Sequence, residues 1–122
     1  MPTPRTQLGN WGEELAGRFL EERGYCILDT NYRSRYGEVD IVAQDGEELV
    51  FVEVRTRHKG GFGAPEESLS PAKMRRLVTT CEDYLQRRSV ENTDWRIDLV
   101  CVHLDRSTEA PRIHHLRHAV QL

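Results

Sequence analysis

The sequence predicts a single α/β domain in which two helices pack against one mixed β-sheet. Three observations support this fold class. The chain has 122 residues, which is the size of one compact domain. Apolar residues make up 38% of it and charged residues 30%, so it can build a core and does not resemble a disordered protein. Helical and strand-like patterns then follow one another in the order α-β-β-β-loop-α-β-β.

An amphipathic helix is predicted over roughly residues 6–23. Apolar side chains recur there at steps of three and four residues, and Gly24 follows as a C-terminal stop. A short strand at 25–29 and a polar connection at 31–37 come next. The residues of the apolar stripe are Leu8, Trp11, Leu15, Ala16, Phe19 and Leu20.

A β-hairpin is predicted in the middle of the chain. An alternating segment at 38–43 and a β-branched run at 49–54 flank Asp45-Gly46-Glu47, which has the composition of a turn. A second helix then begins with Ser70 as N-cap and Pro71 in the first turn, and it ends near residue 88. The other predicted elements are a glycine-rich loop at 58–69, a strong strand at 95–104 and a weaker edge strand from residue 111.

Composition bears on the cellular location of the protein. No apolar run approaches the roughly 20 residues that a membrane helix needs, and the N-terminus lacks the hydrophobic stretch of a secretory signal. Three widely separated cysteines offer neither a disulfide framework nor a paired metal site. We therefore expect a cytoplasmic protein with no membrane partner. A net charge of -3 argues against coating DNA through bulk positive charge, but it leaves local basic patches open.

Two acidic residues interrupt strands that otherwise look buried. Asp40 and Glu53 each lie between branched aliphatic residues, and a buried carboxylate needs a compensating partner. A turn at Gly46-Glu47 puts them directly opposite each other, with Cβ atoms about 5 Å apart, whereas a turn at Asp45-Gly46 makes them diagonal neighbours at roughly 7–8 Å. Carboxylates this close require a shared proton, a cationic side chain or a divalent metal, for which oxygen ligands favour Mg²⁺ or Mn²⁺.

Three further side chains bear on the choice between a metal site and a plain ion network. Arg55 points to the same face as Glu53 and can complete an Asp-Arg-Glu network, and spacing alone favours neither the network nor the metal. Glu13 lies about 20° beyond the apolar stripe of the first helix, and Lys73 lies about 20° outside that of the second. Taken alone, Glu13 is more typical of a solvated first-turn acid and Lys73 of a snorkelling lysine.

Basic residues flank the acidic pair on both sides and form a candidate rim for gripping phosphates. The alternative is scattered solvated charge, because residues 31–62 carry five basic against six acidic side chains. A bound metal would turn that balance locally positive. The rim residues are Arg33, Arg35, Arg57, His58 and Lys59.

Segments spread over roughly residues 9–104 resemble the YraN-like family of bacterial proteins. Lys73 in the second predicted helix continues the match. The other matching segments are Gly12-Glu13, Gly24-Tyr25, Asn31-Tyr32-Arg33, Gly37-Glu38-Val39-Asp40-Ile41-Val42, Val50-Phe51-Val52-Glu53-Val54-Arg55-Thr56-Arg57 and Arg96-Ile97-Asp98-Leu99-Val100.

That family is similar to restriction-endonuclease-like, PD-(D/E)xK proteins, close to archaeal Holliday-junction resolvases, with the core order α-β-β-β-α-β. The resemblance implies a Mg²⁺- or Mn²⁺-dependent nuclease in which Asp40 and Glu53 are metal ligands and Glu13 is an accessory acid. It further implies that Val54 lends its backbone carbonyl to the ion and that position 55 is the motif lysine. The implied substrate is branched or single-stranded DNA, and the implied assembly is a homodimer, for which the edge strand at 112–120 could serve.

The sequence departs from this pattern at Arg55. Arginine keeps the positive charge and can clamp a phosphate, but its pKa is too high for it to accept a proton. Lys73 could supply that group from the second helix. The sequence therefore predicts a metal-dependent DNA nuclease, and the alternative is a catalytically impaired nucleic-acid-binding module of the same fold.

Overall fold

A computed structural model describes residues 4–58, 69–104 and 110–121, with side chains at 9–57, 69–104 and 110–121. The predicted α/β fold class and the order of its elements are confirmed. The predicted glycine-rich loop falls almost wholly outside the described residues. The described elements are α1 (Pro4–Glu22), β1 (Cys26–Ser34), β2 (Gly37–Asp45), β3 (Glu48–His58), α2 (Pro71–Arg87), β4 (Trp95–Leu104) and β5 (Arg112–Leu116).

The strands form one mixed sheet in the order β1-β2-β3-β4-β5. β3 and β4 run parallel, and the other neighbouring strands run antiparallel. Two parallel strands need a crossover connection, and α2 lies in the segment that joins β3 to β4. The mixed sheet and the edge position of β5 are as predicted. Within the described residues, neither helix is long and apolar enough to span a membrane.

The two helices cover opposite faces of the sheet, because successive side chains of a strand point to opposite sides. Val52 packs with Leu20 of α1, and the adjacent Phe51 packs with Leu77 of α2. We call these sides the α1 face and the α2 face. Each helix thus buries one apolar cluster against the same strands, and burial of this kind is the main stabilising contribution to the fold.

α1 approaches the sheet through small residues. Gly12, Ala16 and Leu20 form its buried stripe, and a β-carbon at Gly12 would collide with Oγ1 of Thr56 in β3. Trp11, which the sequence analysis places in the apolar stripe, is instead 40% exposed. That expectation is wrong because the side of the helix with the smallest side chains makes the closest approach.

β1 is longer than the sequence predicts. The polar connection expected at 31–37 is wrong, because β1 continues to Ser34 and pairs with β2, with Tyr32 opposite Val39. The Tyr32 ring packs on the α2 face, and its hydroxyl donates a hydrogen bond of 2.5 Å to Asp83 of α2. This polar stretch is therefore an edge strand anchored by one aromatic side chain.

β5 ends at Leu116, so the edge strand expected to reach Val120 is too long. The chain turns there, and the Ala119 backbone N–H donates to the Ile97 carbonyl at 2.8 Å. Val120 is 5% exposed and belongs to the apolar cluster on the α2 face. Burial of the Val120 side chain competes with continued strand pairing, so β5 ends after five residues.

α2 begins as predicted. Ser70 is the N-cap and its hydroxyl accepts a hydrogen bond of 3.1 Å from the Lys73 backbone N–H, while Pro71 occupies the first turn. The helix ends at Arg87, with Arg88 as C-cap. The cap fixes the helical turn that carries Lys73.

Candidate functional site

The turn of the β2–β3 hairpin consists of Gly46 and Glu47. Gly46 has a φ of 63°, a left-handed conformation that suits glycine. This turn gives the register in which the two acids are predicted to lie directly opposite each other. It places Asp40 opposite Glu53, one step beyond the last regular pair of the two strands.

The sheet is irregular next to Asp40. Val39 and Ile41 would share a face in a regular strand, yet Val39 packs on the α2 face and Ile41 on the α1 face. On the neighbouring strand, Asn31 has a φ of 54°. At this irregularity, Oδ2 of Asp40 accepts a hydrogen bond of 2.7 Å from the Val54 backbone N–H. A side-chain oxygen thus takes the place of the backbone carbonyl that would accept this bond in a regular sheet.

Asp40 and Glu53 form a buried carboxyl pair, 6% and 7% exposed. Burial raises the pKa of both groups. The charge of Asp40 raises the pKa of Glu53 further, whereas the Val54 N–H partly opposes the shift at Asp40. A pair in this state either shares a proton or requires a cation.

Lys73 reaches the pair from α2. Its Nζ lies 3.4 Å from Oε2 of Glu53. That oxygen is buried and makes no hydrogen bond to any described residue, so the ion pair compensates it only in part. The charge of Arg55 also lowers the pKa of Glu53, but less than that of Lys73. The lysine from the helix is therefore the stronger electrostatic partner of this carboxyl group.

Glu13 completes the acidic side of the site from α1. Burial raises the pKa of Glu13, and interactions with Asp40 and Asn31 oppose the shift. The contact of Gly12 with β3 sets how far this helix approaches. Across the described residues, no three acidic, histidine or cysteine side chains already surround a common point as they do in a formed metal site.

Side chains of the predicted basic rim are placed near the same end of the sheet. Arg33 forms an ion pair with Glu38 at 3.0 Å. Arg35 donates a hydrogen bond of 2.7 Å to the Tyr36 hydroxyl, and Arg57 is half-buried near the end of β3. The rim members whose side chains lie outside the described residues are His58 and Lys59.

Asn31 is a site neighbour that the sequence analysis misses. It interacts with Glu13 and lines a cleft of about 410 Å³ together with Glu13 and Asp40. Its residue type was the only indication in the sequence, because asparagine is one of the few residues other than glycine that often adopt a positive φ. At Asn31 this positive φ interrupts the regular strand next to Asp40.

A second buried charge cluster extends from the middle of β4 to the β2–β3 turn. Asp98 is fully buried, accepts a hydrogen bond of 3.0 Å from Arg96 and contacts His115 Nε2 at 2.7 Å. It also accepts a hydrogen bond from the His118 backbone N–H. Burial raises the pKa of Asp98, but these three partners outweigh it and leave the pKa lowered. Arg96 is also bonded to Tyr25, Asp45 and Glu48.

The fold and the site define a small α/β protein with a buried, incompletely compensated carboxyl pair beside a lysine. Residues 12–102 match the uncharacterised protein family UPF0102. The chain belongs to that family, which confirms the resemblance to YraN-like proteins.

Several UPF0102 proteins are similar to this chain along most of their length. One from Dehalococcoides mccartyi is 44% identical over 116 residues, which cover 95% of this chain and 94% of the relative. One from Geobacter sulfurreducens is 43% identical over 115 residues, 94% of this chain and 89% of the relative. One from Anaeromyxobacter dehalogenans is 46% identical over 111 residues, 91% and 81% of the two chains. These names state no reaction, so function has to be argued from the site.

Proposed function

We propose that this protein is a Mg²⁺- or Mn²⁺-dependent nuclease that hydrolyses phosphodiester bonds of branched or single-stranded DNA in repair or recombination. The observation that carries the proposal is the buried Asp40–Glu53 pair, in which Glu53 Oε2 accepts no hydrogen bond from the described residues and lies 3.4 Å from Lys73 Nζ. A carboxyl pair with a purely structural role would be compensated, as Asp98 is. Perturbed acids of this kind cluster at functional sites.

The donor set suits a hard divalent cation. Asp40 and Glu53 offer carboxylate oxygens, Glu13 adds a third, and the Val54 carbonyl is the fourth donor that the family resemblance implies. When bound, such an ion lowers the pKa of a water molecule and neutralises charge on the phosphate. A cation held by Asp40 and Glu53 would favour their ionised forms, because it would offset the burial and repulsion that raise both pKa values.

We assign the role of the motif lysine to Lys73. A lysine can orient the attacking water and exchange a proton with it, whereas an arginine stays protonated at any physiological pH. Lys73 is also the cation with the larger effect on Glu53. Arg55 then acts as a phosphate clamp, because its planar fork of N–H donors matches two phosphate oxygens.

The remaining parts of the proposal concern the substrate and the assembly. The basic rim of Arg33, Arg35 and Arg57, with His58 and Lys59, would hold the phosphates that flank the scissile bond. A homodimer, which sedimentation velocity can test, would match the two-fold symmetry of a branched substrate. A cytoplasmic location would give the protein access to both DNA and free Mg²⁺.

The second candidate is a nucleic-acid-binding module that no longer cleaves. The ion pair between Lys73 and Glu53 favours it, because a lysine held by a metal ligand is not available to a water molecule. Replacement of the motif lysine by Arg55 points the same way.

The test incubates labelled single-stranded, duplex, flap and four-way-junction DNA with the protein in Mg²⁺ and then in Mn²⁺. We expect cleavage by the wild type and a loss of about a hundredfold or more in Asp40→Asn and Lys73→Gln. Glu13→Gln should reduce the rate, and Glu14→Gln is its matched control, because Glu14 is the adjacent residue of α1 and its side chain is 69% exposed. Cleavage that appears only in Arg55→Lys would favour the binding module.

A further inference from the structure

A shallow basic groove runs along one side of α2. Its floor is formed by Ala72, Arg75, Arg76 and Thr79, whose spacings of three and four residues place them on one helix face. Tyr36, from the turn between β1 and β2, forms the opposite wall. The groove has a volume of about 320 Å³ and is open to solvent.

The charge of this groove is not neutralised within the described part of the chain. Arg75 and Arg76 are both exposed, and no acidic residue lines the groove. The ion pairs that α2 and its C-cap form with described residues involve other basic side chains, namely Lys73, Arg87 and Arg88. On the other side of Tyr36, a second cleft of about 400 Å³ is lined by Glu82, Asp83 and Glu91. Tyr36 thus separates a basic groove from an acidic one.

Gly37 explains how Tyr36 comes to lie over α2. A β-carbon at Gly37 would be 3.2 Å from Thr80 Oγ1, tighter than ordinary contact, so glycine lets the turn sit close to the helix. Arg35 lies over the Tyr36 ring at 4.9 Å from its centre and donates a hydrogen bond to its hydroxyl. Tyr36 nevertheless stays 37% exposed. An exposed aromatic ring held in place by an arginine is a stacking surface.

The groove lies within one helical turn of Lys73. Arg76 follows Lys73 by three residues, so the two side chains are neighbours on adjacent sides of α2. Lys73 in turn contacts Glu53. A polyanion bound to Arg76 would therefore lie next to the lysine that contacts the carboxyl pair.

We propose that this groove holds a single strand of DNA, with phosphates on Arg75 and Arg76 and a base stacked on Tyr36. The inference rests on the proposed nuclease function and adds the path of the strand and its unpaired state. An aromatic platform favours a single strand, because the bases of a duplex are already stacked on one another. Arginine favours phosphate, because it can donate two parallel hydrogen bonds.

The test measures the binding of a fluorescent mixed-sequence single strand by anisotropy, with Ca²⁺ in place of Mg²⁺ to prevent cleavage. The double variant Arg75→Gln/Arg76→Gln should bind about tenfold or more weakly. The slope of log affinity against log salt should become shallower by about 1.4, because two phosphate contacts on a single strand are lost. Tyr36→Ala should also lose about tenfold, whereas Tyr36→Phe, which keeps the ring, should bind like the wild type.

The matched control is Arg23→Gln/Arg117→Gln, which removes two exposed arginines that follow α1 and β5 and should leave affinity and salt slope unchanged. Equal melting temperatures of all variants would exclude misfolding as the cause of a loss. Wild-type affinity in the Arg75→Gln/Arg76→Gln variant would overturn the groove and leave the nuclease proposal intact. Groove-dependent binding without cleavage in Mg²⁺ or Mn²⁺ would support the groove and overturn the nuclease.

Two further outcomes would overturn the inference. A wild type that binds no single strand would overturn the groove and restrict the proposed nuclease to branched DNA. Displacement of the strand by polyglutamate of equal charge and at equal concentration would show that the groove recognises only negative charge, because that polymer has no base to stack on Tyr36.

Discussion

Two clusters of buried acids lie on neighbouring strands of the same sheet and differ in how they are compensated. Asp98, which lies beside Val52 of β3, is fully buried and has a lowered pKa, because Arg96, His115 and a backbone N–H all bond to it. Asp40 and Glu53 are almost as buried but have raised pKa values. Burial alone therefore does not separate a structural acid from a functional one.

The difference lies in the partners that the fold supplies. Around Asp98 the donors come from Arg96 of the same strand, from His115 of β5 and from the His118 backbone N–H, so the cluster ties β4 to β5 and to the C-terminal turn. Around Glu53 the fold brings two basic side chains, Lys73 and Arg55, and two further acids, Asp40 and Glu13. Among the described residues, no hydrogen-bond donor reaches Oε2 of Glu53. An uncompensated cluster costs stability, and a ligand that neutralises it recovers that stability.

The largest expected effect is the removal of Asp98. Asp98→Ala leaves Arg96 buried without its main partner, so we expect a loss of about 3–5 kcal/mol in the free energy of unfolding. Urea denaturation followed by circular dichroism measures it. A loss below about 1 kcal/mol would mean that this cluster is no more structural than a surface ion pair.

The pH dependence of stability should separate the two clusters. Raised pKa values at Asp40 and Glu53 mean that the folded state keeps protons that the unfolded state has released, so stability falls as the pH rises from about 4 towards neutral. The lowered pKa of Asp98 acts in the opposite direction, and its contribution is lost in acid. In the Asp40→Asn/Glu53→Gln variant, we expect the decrease in the free energy of unfolding between about pH 4 and neutral pH to be smaller by roughly 2–3 kcal/mol. Denaturation curves across this pH range test the prediction. It fails if the free energy of unfolding depends on pH in the same way in the double variant and the wild type.

Gly12→Ala should weaken the contact that positions Glu13. The added β-carbon meets Thr56, and we expect a net loss of about 1–2 kcal/mol after the better helix propensity of alanine is included. Thermal unfolding measures the loss. Thr56→Ala removes the colliding atoms, so the double variant should recover most of the stability. Equal losses with and without Thr56→Ala would contradict this explanation.

The smallest expected effect is at the cap of α2. Ser70→Ala removes the acceptor for the Lys73 N–H and should cost about 1 kcal/mol. Because this turn carries Lys73, amide exchange at its first residues should also increase. Ser70→Asp, which keeps an acceptor, is the control and should retain wild-type protection.

Long apolar patterns predicted the fold well, and local anomalies predicted part of the site. The strand at 95–104 is found with its predicted bounds, because a buried run of that length leaves few alternatives. Asp40 and Glu53 could be identified because each is an acid inside an apolar strand. β1 was predicted too short, because an edge strand takes its structure from pairing with its neighbour and not from its own pattern.

The features that were missed depend on how distant elements approach each other. Trp11 is exposed because the contact of Gly12 with β3 sets the rotation of α1. The groove of Arg75 and Arg76 exists because Gly37 lets a turn lie on α2. No local pattern contains such contacts, so the sequence could not predict them.

The most direct test of the central claim is the melting temperature of the wild type and of Asp40→Asn in EDTA and in Mn²⁺. Asparagine keeps an oxygen that can accept the Val54 N–H but removes the buried charge. We predict that Mn²⁺ raises the melting temperature of the wild type alone, and that in EDTA the variant is at least as stable as the wild type. A variant that is clearly less stable in EDTA, together with a wild type that does not respond to Mn²⁺, would show that the pair is a structural ion network.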